Sequence, residues 1–115
     1  MNEDAWEHAL KTLNLGPRFY YDRVGSTNDV AQNKIAEGVP NLTLIVADEQ
    51  YQGRGRRGRS WFTPQGAGLA FSVIFFPRPG GIRAENLNRA NGLGALSVAQ
   101  ALRDFFSLPA EIKWP

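Results

Sequence analysis

Trp6, Ala9, Leu10 and Leu13 recur at helical spacing near the start of the chain, and Gly16-Pro17 stops the pattern. A short amphipathic helix is predicted there. Residues Arg18 to Val24, RFYYDRV, are aromatic and β-branched enough for a strand, which Gly25 closes. Ser26 with Asp29 three positions later has the form of a capping box, Asp standing in for the usual Glu or Gln. Val30, Ala31 and Ile35 give the following helix its apolar stripe, and Gly38 and Pro40 end it.

Leu42 to Ala47, LTLIVA, is a nearly unbroken apolar run of strand length, the pattern of a strand buried on both faces. It leads through Asp48-Glu49-Gln50 into QGRGRRGRSW, read here as part of a long loop. Leu69 to Phe76 is apolar at both parities and predicts a second central strand, stopped by PRPGG. Between residues 84 and 106 a broad apolar face, including Leu87, Leu93, Val98, Leu102 and Phe105, predicts a long helix. Leu108-Pro109 then turns the chain into a last strand over Ala110 to Trp114. The order helix, strand, helix, strand, long loop, strand, helix, strand predicts an α+β fold, a mixed β-sheet layered with helices.

Composition narrows the function. At 115 residues and 43% hydrophobic content, the chain suits one small domain with a modest core. Its formal net charge is +2, and without Arg54, Arg56, Arg57 and Arg59 it would be −2. One tight basic cluster suits a single polyanionic ligand better than a long nucleic-acid track. The absence of cysteine excludes disulfides, thiolate metal sites and cysteine nucleophiles, and no metal ligands are assigned. His8, the one histidine, sits between Glu7 and Lys11 on the first helix and speaks against a Ser-His-Asp hydrolase. No apolar run approaches the roughly 20 residues of a membrane span. The start, MNEDAWEHAL, is acidic rather than a basic leader, and a cytoplasmic protein is expected.

Gly53-Arg-Gly55-Arg-Arg-Gly58 formally matches a dinucleotide fingerprint, but no helix start follows it. No phosphate-binding P-loop motif occurs either. Four guanidiniums within six residues repel one another, so the loop is expected to order around an anion that accepts bidentate hydrogen bonds. Its glycines leave backbone N–H groups free to reach such an anion. Three readings stand side by side: a solvated structural loop, a nucleic-acid clamp with Trp61 as stacking platform, and a loop closing over a small ligand. Gln50 and Ser26-Thr27-Asn28 are either plain strand-end and helix-cap residues or the uncharged donors and acceptors for a polar ligand head.

Three stretches, GSTN, ADEQYQGRGRRGRSWFTPQGAGLAFSV and KWP, occur in an order and spacing similar to one family. The chain resembles the catalytic domain of biotin protein ligases. That resemblance implies a fold of the class II aminoacyl-tRNA synthetase and biotin/lipoate ligase kind. It implies that residues 1–115 are the N-terminal portion of the catalytic domain, with its C-terminal part and a small β-domain absent. It further implies activation of biotin with ATP and Mg²⁺ to biotinyl-5′-AMP, and transfer of biotin to one lysine of a biotin carboxyl carrier domain. No membrane partner is expected, and none of DNA, because no helix-turn-helix region precedes the catalytic part.

By position, the resemblance implies that Ser26, Thr27, Asn28 and Gln50 hold the biotin head group. Gly53, Arg54, Gly55 and Arg56 would close over the biotin carboxylate and the phosphate. Arg57 and Arg59 would assist at the adenylate, Trp61 would stack on adenine, and Lys113 would bridge carboxylate and α-phosphate. Arg56 and Lys113 are the expected catalytic residues. Gly68 and Ala70 stand where some relatives carry larger side chains, which bears on pocket width. The alternatives are a lipoate or octanoate ligase, whose Arg-Arg and Gly-Gly-Gly signature is missing, and a basic nucleic-acid-binding module.

Overall fold

The computed structural model describes residues 1–113, which form two units, Met1–Phe76 and a second beginning at Pro77. The first unit carries helix α1 (Glu3–Leu10), strand β1 (Arg18–Val24), helix α2 (Thr27–Ala36), and strands β2 (Leu44–Arg54), β3 (Ser60–Thr63) and β4 (Ala70–Val73). The β1 and β2 strands run parallel, with Arg18 opposite Leu44 and Val24 opposite Gln50. A parallel pair needs a crossover, and α2 supplies it. On its other edge β2 pairs antiparallel with β4 along Leu44–Ala47 and with β3 from Gln50 to Arg54. Strand β2 is therefore flanked on both edges, which explains its apolar run at both parities.

Alternation along β2 sorts its side chains to two faces. Ile45 is fully buried and packs with Ala31 of α2 and with Ile74, ringed by Tyr21, Val30, Val39 and Phe76. Burying such a side chain contributes about 1.5–3 kcal/mol. Leu44 and Val46 face the other way and help line a wholly apolar cavity of about 240 Å³ with Trp6, Leu10 and Leu13. Polar contacts fix α1 to the sheet. The Glu7 carboxylate accepts from Arg18 Nη1 at 2.5 Å and from the Tyr20 hydroxyl at 2.7 Å, and Trp6 lies 6.3 Å from the Tyr20 ring centre.

Three element boundaries differ from the sequence reading, each for a local reason. Strand β2 starts at Leu44 rather than Leu42, because Leu42 takes a left-handed φ of 62°. That turn is held by Thr43 Oγ1 donating to the Pro40 carbonyl at 2.7 Å and by Asn41 Oδ1 accepting from Phe76 N at 2.8 Å. The long loop of the sequence reading contains β3, so the arginine stretch is the tip of a β2–β3 hairpin. Strand β4 is shorter than Leu69 to Phe76 because its ladder with β2 covers only Ala70–Val73.

In the second unit the expected helix divides into a 3₁₀ segment, Ala84–Arg89, and helix α3, Ala90–Phe106. The 3₁₀ segment opens with Asn86 N donating to the Arg83 carbonyl at 3.0 Å. Helix α3 ends with Ser107 in the left-handed region (φ 52°) and Leu108 N donating to the Leu102 carbonyl at 3.1 Å. The expected last strand is not formed over residues 110–113, which run as irregular chain, and Trp114 lies outside the described residues. Among the described residues no helix is long and apolar enough to cross a membrane.

Candidate functional site

The parallel register of β1 and β2 creates the site. With Val24 beside Gln50, the chain leaving β1 through Gly25-Ser26-Thr27 must turn over the middle of β2. The turn is tied down where Gln52 N donates to the Gly25 carbonyl at 2.7 Å. Helix α2 then starts directly above Gln50. Open α/β sheets place ligands at this position, outside the carboxyl end of a strand where a helix begins.

A cavity of about 270 Å³ lies there, lined by Ser26, Thr27, Asn28, Gln50, Arg54, Trp61, Thr63, Leu69, Ala70 and Phe71. Its inner wall is polar and out of solvent. Ser26, Thr27 and Gln50 are all buried, and Gln50 Oε1 accepts from Thr27 N at 2.9 Å and from Thr27 Oγ1 at 3.2 Å. Ser72 Oγ, on β4, stands 2.9 Å from Thr27 Oγ1 and 2.7 Å from Asn28 Oδ1. One hydroxyl proton serves one acceptor at a time, so Ser72 can exchange partners when a ligand enters.

The outer wall is the hairpin. Strands β2 and β3 pair Gly53 with Trp61 and Arg54 with Ser60, and Gly55 N donates to the Arg59 carbonyl at 2.7 Å. Arg56, Arg57 and Gly58 make the turn, Arg57 with φ 59° and Gly58 with φ 72°. The ladder slips between Gln50 and Gly53, a bulge that increases the local twist of the strand. At Gly53 a Cβ would sit 2.3 Å from Gln50 Nε2 and 2.9 Å from the Trp61 carbonyl oxygen. Only glycine fits. Trp61 is 66% exposed and Phe62 62%, so neither ring is core, and Trp61 lines the cavity.

Most of the sequence-predicted residues thus converge. Ser26, Thr27, Asn28, Gln50, Arg54 and Trp61 line one cavity, Gly53 lets the hairpin close on it, and Gly55, Arg56, Arg57 and Arg59 form the hairpin tip. Ala70 is buried in the wall, whereas a Cβ at Gly68 would meet Thr63 Cγ2 at 3.0 Å. Lys113 belongs to the second unit and lies against α3 there. The capping box is half formed: Ser26 Oγ accepts from Asn28 N at 3.2 Å, but Asp29 pairs with Arg54 instead of turning back to Ser26. Sequence reading missed Ser72, Thr63 and Phe71, and no spacing rule would have found them. Their partners are set by the β2–β4 and β2–β3 registers. Among the described residues no three His, Cys, Asp or Glu side chains converge as a metal site, and Asp29 is engaged by Arg54.

A family model described as the biotin/lipoate A/B protein ligase family matches residues 20–115. The chain belongs to this ligase family. It is 32% identical over its full length to the bifunctional ligase/repressor BirA of Bacillus subtilis, covering 35% of that protein. It is 38% identical over 81% of its length to the biotin–[acetyl-CoA-carboxylase] ligase of Paracoccus denitrificans, covering 38% of it. Among solved structures, the biotin protein ligase from Aquifex aeolicus in complex with biotin and ATP matches 86% of the chain and 39% of its own, with a TM-score of 0.65 and 37% identity. The chain thus spans little more than a third of each of these three relatives.

Proposed function

We propose that the cavity between the start of α2 and the arginine hairpin binds biotin. The parent reaction would join the biotin carboxylate to the α-phosphate of ATP, and biotin would then pass to a lysine of a biotin carboxyl carrier domain. One observation carries this reading: a single cavity has a buried, uncharged polar wall and the exposed Arg54 guanidinium on its lining, with Arg56, Arg57 and Arg59 at the exposed tip of the hairpin that bounds it. A ureido ring offers two N–H donors and a carbonyl acceptor, and Gln50, Thr27, Asn28 and Ser26 present matching uncharged groups. A carboxylate at the other end of the ligand meets Arg54.

In the reaction a carboxylate oxygen attacks the α-phosphorus while the bond to pyrophosphate breaks. Two anions must approach in line, and fixed guanidiniums offset their repulsion and the charge developing on the phosphate. Arginine suits the task because its fork holds phosphate or carboxylate bidentately. On this reading Arg56 and Lys113 act at the transferring phosphate, Arg54, Arg57 and Arg59 retain the adenylate, and Trp61 stacks on adenine. The hairpin excludes water from the mixed anhydride. Mg²⁺ accompanies ATP in the reaction implied by the resemblance, and no step assigned to these residues runs through it. Residues 1–115 would be the N-terminal portion of the catalytic domain.

The test is biotin-dependent exchange of labelled pyrophosphate into ATP. Exchange that requires biotin and resists lipoate supports the reading. Exchange that follows lipoate instead moves the assignment to a lipoate ligase, and exchange with neither removes it.

A further inference from the structure

An ion pair at the rim of the cavity has no part in the roles assigned above. Arg54 Nη2 contacts Asp29 Oδ1, joining the last residue of β2 to the first turn of α2. Asp29 would ordinarily be explained as an acidic residue favoured at a helix N-terminus. Its geometry adds something that the helix alone does not require. Oδ1 is out of reach of solvent yet accepts no directed hydrogen bond, although the side chain as a whole is 41% exposed. The contact is a single charge-to-charge approach, not the two-pronged fork that arginine makes with a carboxylate or phosphate in its stronger pairings. Arg54 itself is 63% exposed and lines the cavity.

We propose that Asp29 is a placeholder anion: it occupies Arg54 while the cavity is empty and is displaced when a carboxylate or phosphate of the ligand takes the guanidinium. This rests on the proposed function in naming biotin as the ligand, but the competition itself concerns any anion at Arg54. A bidentate newcomer outcompetes the single contact. Ligand affinity is lowered by the strength of the pair that must open, and the reduction falls only on ligands that carry a negative charge at that end. Asp29 therefore tunes the discrimination between an anionic ligand and its neutral isostere.

The test compares the full chain with Asp29→Asn, Arg54→Gln and the double variant, titrated calorimetrically with biotin, with biotinol, and with pyrophosphate. Exposed ion pairs are weak, so Asp29→Asn should tighten biotin and pyrophosphate about two- to fivefold. It should leave biotinol, which has a hydroxymethyl group in place of the carboxylate, unchanged. The gain should vanish in the Arg54→Gln background, since a coupling between two residues disappears when either is gone. Weaker biotin or pyrophosphate binding in Asp29→Asn overturns the proposal, because Asp29 would then be orienting Arg54. An equal shift for biotin and biotinol also overturns it, as an effect on the helix start would produce. If wild-type chain binds neither biotin nor biotinol, the proposed function fails and the pyrophosphate titration still decides the placeholder.

Discussion

Gln50 Oε1 accepts two hydrogen bonds from one residue, the backbone N–H and the hydroxyl of Thr27, at 2.9 and 3.2 Å. The two residues are 23 positions apart and both buried. The pairing joins the middle of β2 to the first residue of α2, so the same contact secures the fold and shapes the inner wall of the cavity. Replacing Gln50 with Leu leaves two buried donors without an acceptor, at a cost of about 1–3 kcal/mol. Urea unfolding should show that loss, and biotin affinity should fall by more than about tenfold, one lost charge-free hydrogen-bond set being worth that much.

Two glycines should respond oppositely to alanine. Gly53→Ala puts a Cβ against Gln50 Nε2 and the Trp61 carbonyl, so the Gln50 amide must leave its place or the hairpin must open. Ligand binding should be lost, with destabilisation of about 1–3 kcal/mol, as for other overpacked sites. At Gly92, inside α3, a Cβ meets nothing within 4 Å. Alanine there should stabilise the helix by up to about 1 kcal/mol through propensity alone. Thermal unfolding of the two variants checks the contrast.

Trp61 is an exposed ring that lines the same cavity as Arg54. Trp61→Ala should leave stability within about 0.5 kcal/mol, as for surface positions. ATP affinity should nevertheless fall by about 1–3 kcal/mol, the range found for base stacking on aromatic side chains. Equal ATP binding by wild type and variant in a fluorescence titration would remove adenine stacking from the account.

The anchor of α1 gives a pH signature. Burial, and then the hydrogen bond to Glu7, push the Tyr20 hydroxyl up to about 12 from an ordinary value of 10. Because the folded value is the higher one, this contribution is complete below pH 10 and is lost as pH rises towards about 12. The Tyr20 hydroxyl, and then Arg18, hold Glu7 below its ordinary 4.5. That contribution is present above 4.5 and disappears as pH falls through the lowered value. Tyr20→Phe should flatten the alkaline limb of a stability–pH curve, and Glu7→Gln the acid limb.

Much of the site was legible in the sequence because its chemistry is concentrated in contiguous runs. The Ser26-Thr27-Asn28 cap, Gln50 at the end of an apolar run and the arginine stretch each carry local signals, and the crossover through α2 brings them together. What escaped depends on pairing across the sheet. A four-residue strand such as Ser60–Thr63 contains no periodicity of its own and forms because β2 offers a partner edge. Ser72 reads as one polar residue in an apolar run until the β4 register sets it against Thr27 and Asn28. Asp29 followed the capping rule in sequence and broke it in space, since a guanidinium on β2 offers a carboxylate a charge-assisted contact that a neutral backbone amide does not. The strand expected after Leu108-Pro109 is not formed over residues 110–113, and a local sequence cannot supply a neighbour to pair with.

The central claim is that one cavity, built by the start of α2 and the β2–β3 hairpin, is the biotin site. An NMR titration of the isotopically labelled chain with biotin tests it residue by residue. The account predicts saturable one-to-one binding with the largest shifts at the Gln50 side-chain amide, the Thr27 and Gly53 backbone amides and the Trp61 indole N–H. Absence of any biotin-dependent shift, or shifts confined to residues away from this cavity, would contradict it.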